Sequence, residues 1–211
     1  MFFTSFHGRI FWRILLSLML PIAAMTVVVP AAGAESADFE ACLSFEKAAC
    51  DKVLAAAPDN LTALFMRGLA AELDGDDQAA VRDFDATAAR EPRHFGAQLW
   101  RYVAAASLGQ SRETELSTYL DNAKQLGAWP RALAQMYLGR VTPAQTLALA
   151  AQQTGAAAAE ATCAAEYHIG RAAHLAGRAD EAKAHFRAAL ATGAKHVFEY
   201  QAASRAVAGM Q

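Results

Sequence analysis

Three cysteines, six histidines and one acidic cluster are the groups from which this 211-residue chain would have to build any chemistry. Cys42 and Cys50 are eight positions apart. In one continuous helix their Cα atoms would stand about 12 Å apart, beyond the reach of a disulfide. If a helix instead begins at Ser44, Cys42 lies on the approaching strand and can fold back on Cys50, which would staple the N-terminal end of the domain. The alternative is a pair of small buried side chains. Cys163, at the start of a repeat helix, has no histidine or acid in a recognisable relation to it and reads as a core thiol rather than a nucleophile.

The histidines do not form a metal set. No His-Glu-x-x-His or Cys-x-x-Cys occurs, and His168, His174 and His185 do not share one helical face, so no metal or cofactor is expected. Asp74-Gly75-Asp76-Asp77 lacks the alternating ligands and closing glutamate of a calcium loop and reads as a solvated helix–helix turn. There is no Gly-x-Ser-x-Gly elbow and no phosphate-cradling glycine loop. Catalysis has no candidate residues.

The elements behind these residues are helical. The composition is 55% hydrophobic and only 19% charged. Much of the apolar share is alanine, a strong helix former with little area to bury, which favours close helix-on-helix packing. Residues 61–94 follow the tetratricopeptide (TPR) template of a 34-residue helix pair. Gly68 stands where the helices approach, Gly75 in the turn, Ala80 and Phe84 in an A-x-x-x-F, and Pro92 at the close. Residues 163–196 repeat the spacing with Gly170, Gly177, Ala182 and Phe186. Degenerate pairs are expected over 95–126, hinged at Gly109-Gln110-Ser111, and over 130–158, split near Gly139 and restarted by Thr142-Pro143. A helix from Ser44 to Ala57 and another over Val197–Ala208 would cap the array. The expected fold is therefore all-α, a TPR-like solenoid of antiparallel helix hairpins with capping helices at both ends.

In such an array the first helix of each pair lines a concave face. That register assigns Phe65, Met66 and Leu69 of the first repeat, Leu99, Trp100 and Val103 of the second, and Tyr167, His168 and Arg171 of the last to a partner-binding groove. Aromatic anchors beside one guanidinium suit a partly apolar peptide or partner helix. The competing reading is that these side chains pack against neighbouring helices, as most apolar residues do. The Lys and Asn pattern of a carboxylate clamp is not found at these positions.

From Trp129 onward the order Ala128-Trp129-Pro130, Tyr137-Leu138-Gly139, Thr142-Pro143, Tyr167-His168-Ile169-Gly170 and His196-Val197-Phe198-Glu199-Tyr200 resembles the C-terminal half of the NlpI family of TPR outer-membrane lipoproteins, over residues 128–203. The resemblance implies a dimerising adaptor that presents cell-wall hydrolases to a periplasmic protease. The lipoprotein cysteine of that family has no counterpart: the first cysteine is Cys42, in Asp38-Phe39-Glu40-Ala41-Cys42.

Residues 1–34 read as a secretory signal. Arg9 and Arg13 precede the apolar run Ile14–Leu20, prolines stand at 21 and 30, and Ala32-Gly33-Ala34 supplies a cleavage site after Ala34. An uncleaved anchor over Ile14–Ala34 is the alternative. Residues 35–211 would then form the helical domain. Removal of 1–34 takes away two of the 19 bases and no acid, leaving 17 against 21, a net charge of −4. Such a body has no electrostatic reason to seek nucleic acid. The expectation is a periplasmic, non-enzymatic scaffold for envelope proteins. A membrane-anchored assembly module and an enzyme of envelope metabolism are the alternatives.

Overall fold

The computed structural model describes residues 32–210, and among these every regular element is an α-helix. Of the residues 1–34 read as a secretory signal, 1–31 lie outside the described residues. Eleven helices follow one another: α1 (Ala32–Leu43), α2 (Lys47–Ala56), α3 (Leu61–Asp74), α4 (Asp77–Arg90), α5 (Phe95–Ser107), α6 (Glu113–Asn122), α7 (Ala128–Tyr137), α8 (Pro143–Ala150), α9 (Ala156–Leu175), α10 (Ala179–Ala191) and α11 (Phe198–Gly209). Each helix packs on the next, most extensively α10 on α9 and α4 on α3. Ala34 falls in the first turn of α1.

Local chemistry sets the boundaries. Asn60 and Asp76 cap α3 and α4 by accepting from Ala63 N and Ala79 N, each at 3.0 Å. Thr142 and Gln145 form a reciprocal capping box at α8, with Pro143 at the first helical position. At the far end of α3, Gly75 takes a left-handed backbone (φ 75°), and Asp76 N donates to Ala71 O at 2.9 Å. Gly177 (φ 74°) closes α9 in the same way, with Arg178 N donating to Ala173 O at 2.9 Å. These are Schellman turns, which satisfy the last carbonyls and turn the chain back sharply.

The two helix pairs α3–α4 and α9–α10 share one packing device. A Cβ on Gly68 would lie 2.6 Å from the Phe84 ring, and one on Gly170 would lie 2.8 Å from the Phe186 ring. Each glycine thus admits a fully buried phenylalanine from the second helix, beside a fully buried alanine, Ala80 or Ala182. An ion cluster ties the first pair to α2: Arg67 makes a two-pronged contact with Asp83 (2.7 and 2.7 Å) and reaches Asp51 at 2.9 Å.

The N-terminal hairpin departs from the sequence expectation. Cys42 does not lie on an extended strand before a helix starting at Ser44. It sits in the last turn of α1, and α2 begins only at Lys47. The turn between them brings Cys42 and Cys50 to a Cα separation of 4.6 Å, and the two are joined by a disulfide. Phe45, at the turn, holds a left-handed backbone (φ 65°) that costs a side-chain-bearing residue about 1–3 kcal/mol. Its ring packs edge-on against Phe198 of α11, at 5.2 Å between centroids, so the hairpin is anchored to the other end of the chain.

Candidate functional site

Most of the residues assigned to an open groove gather on one face, and that face is filled. Trp100 is 4% exposed, Tyr167 4% and His168 1%; Leu69, Leu99 and Val103 are equally buried, and Phe65 and Met66 pack on the same core. This corrects the groove reading. Helices α9 and α11 close over α3 and α5, so side chains of the first helices meet one another instead of a partner. The Trp100 ring lies 5.9 Å from Tyr167, 5.0 Å from His168 and 4.9 Å from Phe198. Leu99 faces the opposite way, into a second cluster with Leu116, Leu120 and Leu133.

His168 organises the polar part of this interior. Its Nδ1 is 2.9 Å from the Tyr137 hydroxyl and its Nε2 is 3.8 Å from Glu199 Oε1. Tyr137 and Glu199, distant in sequence, therefore converge on one imidazole. Burial holds the hydroxyl of Tyr137 well above its usual titration range, and that of Tyr167 likewise. Neither is an activated phenolate; the network positions helices. Cys163 is fully buried, and burial pushes its thiol up to about 11, the wrong direction for a nucleophile.

Arg171 leads out of the core. Its Nη2 donates to Glu72 Oε1 at 2.9 Å and to Ser107 Oγ at 2.6 Å, with Asp77 Oδ1 at 3.7 Å. Burial raises the Glu72 carboxyl above its ordinary value; Arg171 opposes that shift and Asp77 adds to it. Arg205 of α11 donates to Leu73 O at 3.1 Å and to Asp74 Oδ1 at 2.9 Å. In the acidic turn Asp74–Asp77, Asp74 pairs with α11, Asp76 caps α4 and Asp77 faces Arg171.

Sequence reasoning missed Glu72 and Ser107, and it read Asp77 only as part of a solvated turn. The available signal was Glu72 itself, an acid one turn after Gly68 on the apolar side of α3, where a charge needs a partner.

A cleft of about 560 Å³ lies elsewhere, between the α4–α5 connection and helices α5 and α6. Arg93, Gln98, Arg101, Thr118, Tyr119 and Asn122 line it. Gln98 Nε2 donates to Pro92 O at 3.1 Å and the Tyr119 hydroxyl donates to Arg93 O at 3.3 Å, which fixes the floor. Arg101 and Arg112 share Asp85, at 3.7 and 3.1 Å, and Arg112 also reaches Glu115 at 3.5 Å. Arg93, exposed at the rim, has no acidic partner among the described residues. Three guanidiniums against two carboxylates leave one positive charge uncompensated.

No known protein family and no characterised protein matches this chain.

Proposed function

We propose that the chain is an exported TPR-type repeat scaffold that binds an envelope protein and performs no reaction of its own. The observation that carries this reading is the duplicated hairpin. Gly68 against Phe84 and Gly170 against Phe186, each with its buried alanine and left-handed glycine turn, are one unit used twice. A helix pair that recurs with the same buried contacts is a stacking unit, and stacked pairs present extended surfaces to other proteins. The buried thiol and tyrosines support the same conclusion, because each is driven away from reactivity. The basic run before the apolar stretch at 14–20 supports export, and the resemblance over residues 128–203 supports an envelope setting.

With the inner face filled, the α5–α6 cleft is the docking surface. Its uncompensated positive charge and its amide and hydroxyl lining fit an extended segment carrying an acidic residue. The test is capture from the envelope of the producing cell by the protein and by an Arg93→Glu/Thr118→Arg double variant, both side chains being exposed and outside the core. The reading expects one envelope protein to be retained by the wild type and lost by the variant, with thermal unfolding unchanged, and an acidic peptide from that protein to bind the wild type alone. Identical capture by both would sink the docking surface. Hydrolysis of peptidoglycan or peptide by the purified protein, abolished by one polar substitution, would sink the scaffold reading.

A further inference from the structure

A second cleft, of about 440 Å³, opens between the α3–α4 turn and helices α9 and α11. That volume lies within the range of small-ligand sites. Its lining joins the polar Glu72, Asp77 and Arg171 to the apolar Phe186, Ala206 and Met210. The Glu72 side chain is 3% exposed, and its Oε2 is the one buried side-chain nitrogen or oxygen among the described residues that has no hydrogen-bond partner. A buried oxygen in that state is costly unless a donor reaches it. Arg171 spends a single nitrogen, Nη2, on Glu72, Ser107 and Asp77, and the hydrogens of its Nε and Nη1 have no protein acceptor among the described residues. An unspent acceptor, itself closed to solvent, and unspent donors therefore belong to two residues that line one cleft. The charges around it are Glu72, Asp74 and Asp77 against Arg171 and Arg205, a surplus of one negative charge.

We infer that this cleft binds an α-ammonium group next to a carbonyl and bearing an apolar side chain. The ammonium donates to Glu72 and Asp77, the carbonyl or carboxylate oxygen accepts from Arg171, and the side chain rests on Phe186, Ala206 and Met210. The surplus negative charge favours the cationic end, and the unspent guanidinium hydrogens supply the acceptor's partners. A free apolar amino acid and the first residue of a peptide share this chemistry. The site is separate from the α5–α6 cleft and does not depend on the scaffold reading.

The experiment is calorimetric titration of the purified protein with L-leucine and with the tripeptide Leu-Gly-Gly, each alongside its N-acetylated form, at up to millimolar ligand. Binding of leucine or of the tripeptide is expected, weakened at least about tenfold by acetylation, which removes the ammonium charge. Binding of leucine alone identifies a small-molecule site, and binding of the tripeptide identifies a peptide N-terminus. Ala206→Trp fills the apolar part of the lining without touching the ion cluster and is expected to abolish the heat of binding. Glu72→Gln, which keeps the side chain's shape, is expected to weaken binding by a similar factor and serves if the tryptophan variant does not fold. No binding of either ligand, equal binding of the acetylated forms, or indifference to both substitutions overturns the inference. The unpartnered oxygen is then met by water or by a proton shared with Asp77. An Ala206→Trp protein that still captures its partner through the α5–α6 cleft separates failure here from failure of the scaffold reading.

Discussion

Glu72 shows how one side chain can stabilise and strain the same fold. It occupies an inward position of α3, holds Arg171 and so links α3 to α9, yet burial and the neighbouring Asp77 together penalise its charge more than the guanidinium rewards it. The direction of the shift dictates the sign of its pH effect. Its carboxyl in the folded protein titrates above the ordinary 4.5, so the folded state binds that proton more firmly than the unfolded state. Its contribution to stability is fully present below the unfolded value and is lost as pH rises through the folded one. Glu72→Gln removes that titration. Chemical denaturation from about pH 4 to about pH 8 is expected to show the wild type losing stability relative to the variant as pH rises, at a limiting slope of about 1.4 kcal/mol per pH unit. Parallel profiles would mean that Glu72 keeps an ordinary carboxyl.

At the scale of the element, the helix pair works through a glycine that is exchanged for a ring. Helix propensity alone says that Gly→Ala in a helix interior gains about 1 kcal/mol. The packing says the reverse. At Gly68 the new methyl would meet the Phe84 ring at 2.6 Å, and at Gly170 it would meet the Phe186 ring at 2.8 Å and also the backbone oxygen of Ala182 at 3.1 Å. Both rings are buried and have nowhere to swing. Gly68→Ala and Gly170→Ala are each expected to cost about 1–3 kcal/mol net in urea denaturation, with Gly170 the worse because a backbone atom must also yield. A gain at either position would show that the glycine does not serve close approach. This device was legible in the sequence because its partners lie on adjacent helices at a fixed offset. The N-terminal hairpin was not. Its turn is closed by Phe45, a residue type that gives no local sign of a left-handed backbone, and what holds it there is a ring on α11, more than 150 positions away. The groove fell between these cases. Periodicity identified which side chains share a face, and Leu69, Trp100 and Tyr167 do lie in one cluster. Whether that face meets solvent or another helix depends on contacts between distant segments, which local periodicity does not carry.

For the whole molecule the decisive contact is the closure of the C-terminal helices on the first ones, and Trp100 is where it converges. Its ring touches Phe84 of α4 at 6.5 Å, Tyr167 and His168 of α9 at 5.9 and 5.0 Å, and Phe198 of α11 at 4.9 Å. Around it, Arg171 bonds to Glu72, and Arg205 bonds to Asp74. The exposed ion pair is worth little by itself, while the aromatic cluster removes a large apolar area from water. Trp100→Ala is therefore expected to destabilise the fold by about 3–5 kcal/mol, since the cavity it leaves borders four helices that cannot all collapse inward. Urea denaturation followed by circular dichroism measures the loss. Limited proteolysis reports where it is felt, with new cleavage expected first in residues 198–209, because Phe198 at the start of α11 packs edge-on against this ring. A variant within about 1 kcal/mol of the wild type, with α11 still protected, would mean that the ring stands on an accessible face, and the open groove would return as the docking surface in place of the α5–α6 cleft.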